Sequence, residues 1–133
     1  MYTLLLYIQL TDKPEQVSFS NPFQGALTDS GLEIRRYDFD SHSDPIVLSY
    51  AEKLWQESAL SIIHIDAFSK ENLGKCRSFL NKLIENSEKS YLVVKGENPV
   101  LERMISVFPQ SQILKNTYKM DEIEAIIKQL SGK

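Results

Sequence analysis

Cysteine is nearly missing from this chain: Cys76 is the only one in 133 residues, so no intrachain disulfide can form. Whatever stability the domain has must come from a packed core, and a lone thiol fits a reducing compartment. A concentration of positive charge is also missing. Fifteen Lys and Arg face eighteen Asp and Glu, for a formal net charge of -3, and the Arg35-Arg36 pair is too short to form a basic patch. That argues against a nucleic-acid partner, because a phosphate backbone needs a cationic surface. Long apolar runs are absent as well. The opening MYTLLLYIQL is too short to span a bilayer, has no positive leader and no small-residue cleavage site, and gives way to the polar TDKPEQ. It reads as a first strand, and the expectation is a cytoplasmic protein with no membrane association.

Reactive signatures are missing too. There is no CxxC, HExxH or GxSxG, no GxxxxGK[ST] phosphate loop and no GxGxxG dinucleotide fingerprint. No catalytic residue, metal site or cofactor is therefore assigned.

What is present is a regular alternation. Apolar strand patterns fall at 3–10 (TLLLYIQL), 32–39 (LEIRRYDF), 59–65 (ALSIIHI), 90–95 (SYLVVK) and, most weakly, 111–115 (SQILK). Helical patterns fill the intervals. A short helix is expected from Pro22, capped by Asn21 and ended near Gly31, and a second from Pro45 to Glu57 with Asp44 as its cap. A third is expected from Lys70 to Asn86 behind Ser69, and a short one from Pro99 to Phe108 behind Asn98. In the last, Asp121 and Glu124 have capping-box spacing, and Ile123, Ile126, Ile127 and Leu130 make the apolar stripe.

Strands alternating with crossover helices argue for one α/β domain over residues 1–133, with a mostly parallel five-stranded sheet covered on both faces. The expected fold is a three-layer doubly wound one. It is similar to flavodoxins and to bacterial response-regulator receiver domains, whose usual strand order is 2-1-3-4-5.

In such a sheet ligands meet the carboxyl ends of the strands. Asp12, Asp38, Asp66, Lys95 and Lys115 are expected near that rim, with Ser18, Ser20 and Asn21 in the long loop after strand one, where hydroxyls and free helix amides suit a phosphate. His42 lies among Asp38, Asp40 and Asp44, a loose cation-binding composition.

SIIHIDAFS, residues 61–69, holds the residue that most resembles a family motif. Asp66 ends strand three as the phosphoacceptor of a receiver domain does, and Lys115 follows strand five as that family's lysine does. The resemblance implies a phosphoswitch. The sequence departs from the family where an acidic pair should follow strand one, since Ile8-Gln9-Leu10 stand there, and where a hydroxyl should end strand four.

His64 shares a strand face with Asp66, but a rise of about 3.3 Å per residue puts their backbones some 6 to 7 Å apart, so no direct hydrogen bond between them is expected. Cys76 falls on an apolar helical stripe and is expected in the core. The sum of these readings is a non-catalytic regulatory or protein-interaction domain, with a protein partner or a second copy of itself as its ligand. The alternatives are a divergent receiver-like phosphoacceptor, or a small-ligand binder or enzyme with its site at the rim.

Overall fold

The computed structural model describes residues 2–13, 33–69 and 72–114. Four full strands form a parallel sheet: β1 (Thr3–Leu10), β2 (Ile34–Asp40), β3 (Leu60–Ala67) and β4 (Ser90–Gly96). Their order is β2-β1-β3-β4, and Ile113–Leu114 adds a two-residue parallel pairing against Leu92 and Val93 on the outer side of β4. The sheet thus has four full strands where five were expected. The expected helices at 22–31 and 121–130 lie outside the described residues.

The centre of the sheet follows from composition. All eight residues of β1 are buried, as a strand flanked on both edges and covered on both faces requires. Thr3 stands opposite Ile34 on one side and Leu60 on the other, and the pairing runs without a bulge to Gln9–Asp40 and Leu10–Ala67.

Helix α1 (Pro45–Glu57) has the expected bounds. Pro45 sets its first turn; Asp44 occupies the cap position without a side-chain hydrogen bond to the helix. Helix α3 (Pro99–Ile105) shows the same signature in full, with the Asn98 side chain accepting from the Leu101 amide at 3.1 Å. Helix α2 departs from expectation. It runs from Arg77 to Glu85, after a 3-10 turn at Gly74–Cys76, rather than starting at Lys70. The Ser69 hydroxyl accepts from the Asn72 amide at 3.0 Å, but the chain passes through Gly74 at φ +56° before the helix begins. A side chain there would also meet Ser41, whose backbone oxygen lies 2.6 Å from where a Cβ would stand.

All three described helices pack on one sheet face. Leu4, Leu6, Ile8, Ile63, Ile65 and Leu92 meet Leu54 and Trp55 of α1, Phe79, Leu80 and Leu83 of α2, and Leu101 of α3 in a single core. Phe79 sits edge-on to both Phe39 and Trp55, with ring centroids 5.3 and 5.6 Å apart, and the Trp55 indole donates to Ser90 at 3.0 Å. Cys76 is buried in this core, as expected. The opposite face carries Leu5, Tyr7, Gln9, Ile62, His64 and Val93, all buried too. No helix among the described residues is long and apolar enough to cross a membrane.

Candidate functional site

The parallel register places a polar band across the carboxyl half of the second face. Side chains in register share a face, so Asp38, Tyr7, His64 and Val93 form one row, and Asp40, Gln9, Asp66 and Lys95 the next. Tyr7 and His64 are buried, and the Asp66 side chain is only 14% exposed.

Within the band, three of these residues close on one another. His64 Nε2 lies 2.7 Å from Asp66 Oδ1, and the Tyr7 hydroxyl donates to Asp66 Oδ2. A carboxylate offers only acceptors, so the imidazole donates through Nε2–H. The Tyr7 and His64 rings meet edge-on at 5.5 Å. This corrects the expectation that His64 and Asp66 are too far apart to bond. Strand geometry sets the backbone separation, but the imidazole leans along the pleated face and reaches the carboxylate. Strand β3 also runs two residues further than the apolar pattern indicates, so Asp66 is part of the strand.

Burial alone pushes the Asp66 carboxyl up, because the charged form loses water. The hydrogen bonds from His64 and Tyr7, followed by electrostatic interactions with His64 and Lys95, outweigh burial and hold it below its ordinary value. Asp66 is therefore an anchored carboxylate with a donor on each oxygen.

The rim beyond the strands is knitted by side chains in the same way. After β1, Asp12 Oδ1 accepts from Ser69 Oγ at 2.6 Å and from Asn72 Nδ2 at 2.9 Å. Those two bonds, the Ser69 one larger, keep the Asp12 carboxyl below its usual range. Asn98 reaches back from the start of α3 to the carbonyls of Ser69 (3.0 Å) and Asn72 (3.2 Å). After β2, the Ser41 hydroxyl donates to the Thr11 carbonyl at 2.9 Å and accepts from the Thr11 amide at 3.0 Å. His42 Nε2 lies 3.0 Å from that same carbonyl, and its amide donates to Asp40 Oδ1 at 2.7 Å. Of the loose cation-binding composition around His42, His42 and Asp40 are thus bonded into the loop, while Asp38 lies within β2. Thr11 Oγ1 is buried without a hydrogen-bond partner. Among the described residues, no group of three or more His, Cys, Asp or Glu is placed to hold a metal ion.

The expected site residues therefore separate. Asp66 and Lys95 are neighbours in register, and Asp12 lies at the end of the adjacent strand. Asp38 is not at the rim but inside β2, exposed on the outer strand and level with Tyr7. Ser18, Ser20, Asn21 and Lys115 lie outside the described residues. Tyr7 escaped the sequence reading because β1 looks like an uninterrupted core strand; the signal available was a phenol in an otherwise aliphatic run, which needs a hydrogen-bond partner when buried.

Three shallow clefts lie among the described residues. One of about 260 Å³ is lined by Trp55, Gln56, Asn86, Glu88 and Lys89. Another, of about 560 Å³, follows the outer side of α2, and the third, of about 330 Å³, lies between Arg35 of β2 and Tyr50, Lys53 and Glu57 of α1. None contains residues of the Tyr7–His64–Asp66 cluster.

No protein-family model, curated protein or solved structure matches the chain.

Proposed function

We propose that this chain is a non-catalytic interaction domain with a doubly wound, flavodoxin-like fold, whose ligand is a protein surface. One observation carries the reading: the carboxylates at the productive edge of the sheet are already bonded within the protein. Asp66 takes His64 and Tyr7, Asp12 takes Ser69 and Asn72, and Asp40 takes the His42 amide. A general acid needs a raised pKa and a proton to give, and Asp66 is shifted the other way. The bonds at the rim tie the ends of β1, β2 and β3 together, which suits a rigid platform. The reading takes the Ile113–Leu114 pairing, which follows a 3-10 turn at Gln110–Gln112, as the start of a fifth, edge strand, and places the domain in the cytoplasm, where Cys76 stays reduced.

A second reading, the receiver-like phosphoacceptor, is favoured by Asp66 standing at the end of β3 directly opposite Lys95. Incubation with Mg²⁺ and acetyl phosphate, followed by intact-mass measurement, separates the two. The interaction domain gains no phosphoryl group. An adduct that Asp66→Ala abolishes would replace the first reading with the second.

A further inference from the structure

The chain is acidic as a whole, yet the outer side of α2 is not. The cleft of about 560 Å³ there is lined by Lys75 and Arg77 at one end, Ser78, Asn81 and Lys82 along its length, and Glu85 at the other end. Three cations thus meet one carboxylate, on a protein whose formal net charge is -3. All six side chains are exposed, and those of α2 stand on the helix face away from Phe79, Leu80 and Leu83, which pack in the core. Lys82 is engaged by Glu52 at 2.7 Å. Lys75 and Arg77 have no ion-pair partner among the described residues, and the Ser78 and Asn81 side chains make no hydrogen bond there.

The two cations sit where they do not help the fold. The 3-10 turn at Gly74–Cys76 runs straight into α2, and neither it nor the first turn of α2 carries an acidic side chain. The start of a helix carries partial positive charge and favours Asp or Glu. Lys75 and Arg77 add like charge at that end, so they cost stability rather than contribute it. A local rule broken without an internal gain marks groups held for something outside the chain.

We propose that this cleft docks an acidic segment of a partner protein, whose carboxylates meet Lys75 and Arg77. Charge complementarity selects the occupant. Arg77 offers a planar fork of donors that matches a carboxylate, and Lys75 a second, compact ammonium. Ser78 and Asn81 supply side chains that both donate to and accept from a peptide backbone. Glu85 ends α2, about 12 Å along the axis from Arg77. A carboxylate there disfavours a polymer of evenly spaced phosphates, whereas a peptide can set a neutral or basic residue against it. The inference rests on the interaction-domain reading and names the chemistry of its partner.

The test titrates the full chain against a fluorescein-labelled oligoglutamate peptide and follows fluorescence anisotropy at low salt. Wild type should bind, and its affinity should fall as salt rises, because the charges are exposed. K75E/R77E should weaken binding by about tenfold or more, and E85K should tighten it by about threefold or more. K75E/R77E should also melt at a higher temperature than wild type, since it sets carboxylates at the helix start. A lower melting temperature, or loss of its circular-dichroism signature, would show that the cations serve the fold and overturns the proposal. So do a wild type that does not bind, binding unchanged in K75E/R77E or in E85K, and tighter binding of oligothymidylate or of anionic phospholipid vesicles than of the peptide. Failure to bind the peptide, with no phosphoryl group gained, overturns this docking face alone; an adduct at Asp66 in a chain that binds the peptide overturns the interaction-domain reading and leaves the face standing.

Discussion

Tyr7→Phe is the most informative single substitution at the polar band. It removes one oxygen and keeps the ring that meets His64 edge-on at 5.5 Å. What it takes away is the hydroxyl that donates to the Asp66 carboxylate, in a site where Tyr7 is 2% exposed. A hydrogen bond to a charged group contributes about 1.5–3 kcal/mol, so the expected loss is about 2 kcal/mol. For a chain of this size that lowers Tm by roughly 6–12 °C and shifts the urea midpoint without changing m.

The same substitution should alter the acid limb of stability. With its folded pKa below the ordinary 3.8, Asp66 contributes stability that is fully present above its unfolded pKa and is lost as pH falls through the folded value. Losing Tyr7's hydrogen bond raises that folded value toward the unfolded one, so Tyr7→Phe should lose less stability on acidification than wild type and complete the loss at a higher pH. Urea melts from pH 6 down to pH 2.5, on wild type, Tyr7→Phe, Asp66→Ala and the double variant, give both the cost and the coupling. A coupling energy under about 0.5 kcal/mol would refute the claim that the phenol stabilises this carboxylate.

Three further outcomes follow from the same geometry. Asn98→Ala removes the cap of α3 and the donor to the Ser69 and Asn72 carbonyls, and should cost about 2 kcal/mol in a urea melt. Gly96→Ala should cost at least about 2 kcal/mol in the same assay, because Gly96 has φ +92° and an added Cβ would stand 2.4 Å from the Ala67 carbonyl oxygen. The Cys76 thiol, pushed up to about 12 mainly by burial and further by Asp40, should resist iodoacetamide at pH 8 in the native protein and react once urea unfolds it, as intact mass will report.

Elements governed by local rules were legible in the sequence. Asp44-Pro45 and Asn98-Pro99 mark helix starts because proline tolerates the first helical turn and no later one, and both helices begin at those prolines. The eight-residue run of β1 has only one reading, since both its faces are buried. What escaped depends on partners distant in the chain. The start of α2 was misplaced because Ser69 looks like a helix cap, whereas its hydroxyl also donates to Asp12, 57 positions earlier, and Gly74 at φ +56° delays the helix. The His64–Asp66 bond was missed because backbone spacing alone ignores how side chains lean. Tyr7 was missed because only the register between β1 and β3 brings it to Asp66. Asp38 was expected at the rim, but β2 runs on to Asp40 and leaves Asp38 inside the strand, on its exposed edge.

Ser41 has a consequence for how freely this chain can change. Its hydroxyl both gives to and takes from the same residue, Thr11, and so does the work of a peptide group at the point where β2 has already turned away. A rung built from a side chain is written in one codon. In a saturation library selected for folding, position 41 should accept threonine and little else, whereas the exposed Asp44, whose side chain makes no hydrogen bond to its helix, should drift. At this corner of the protein, chemistry rather than size or polarity is what mutation cannot trade away.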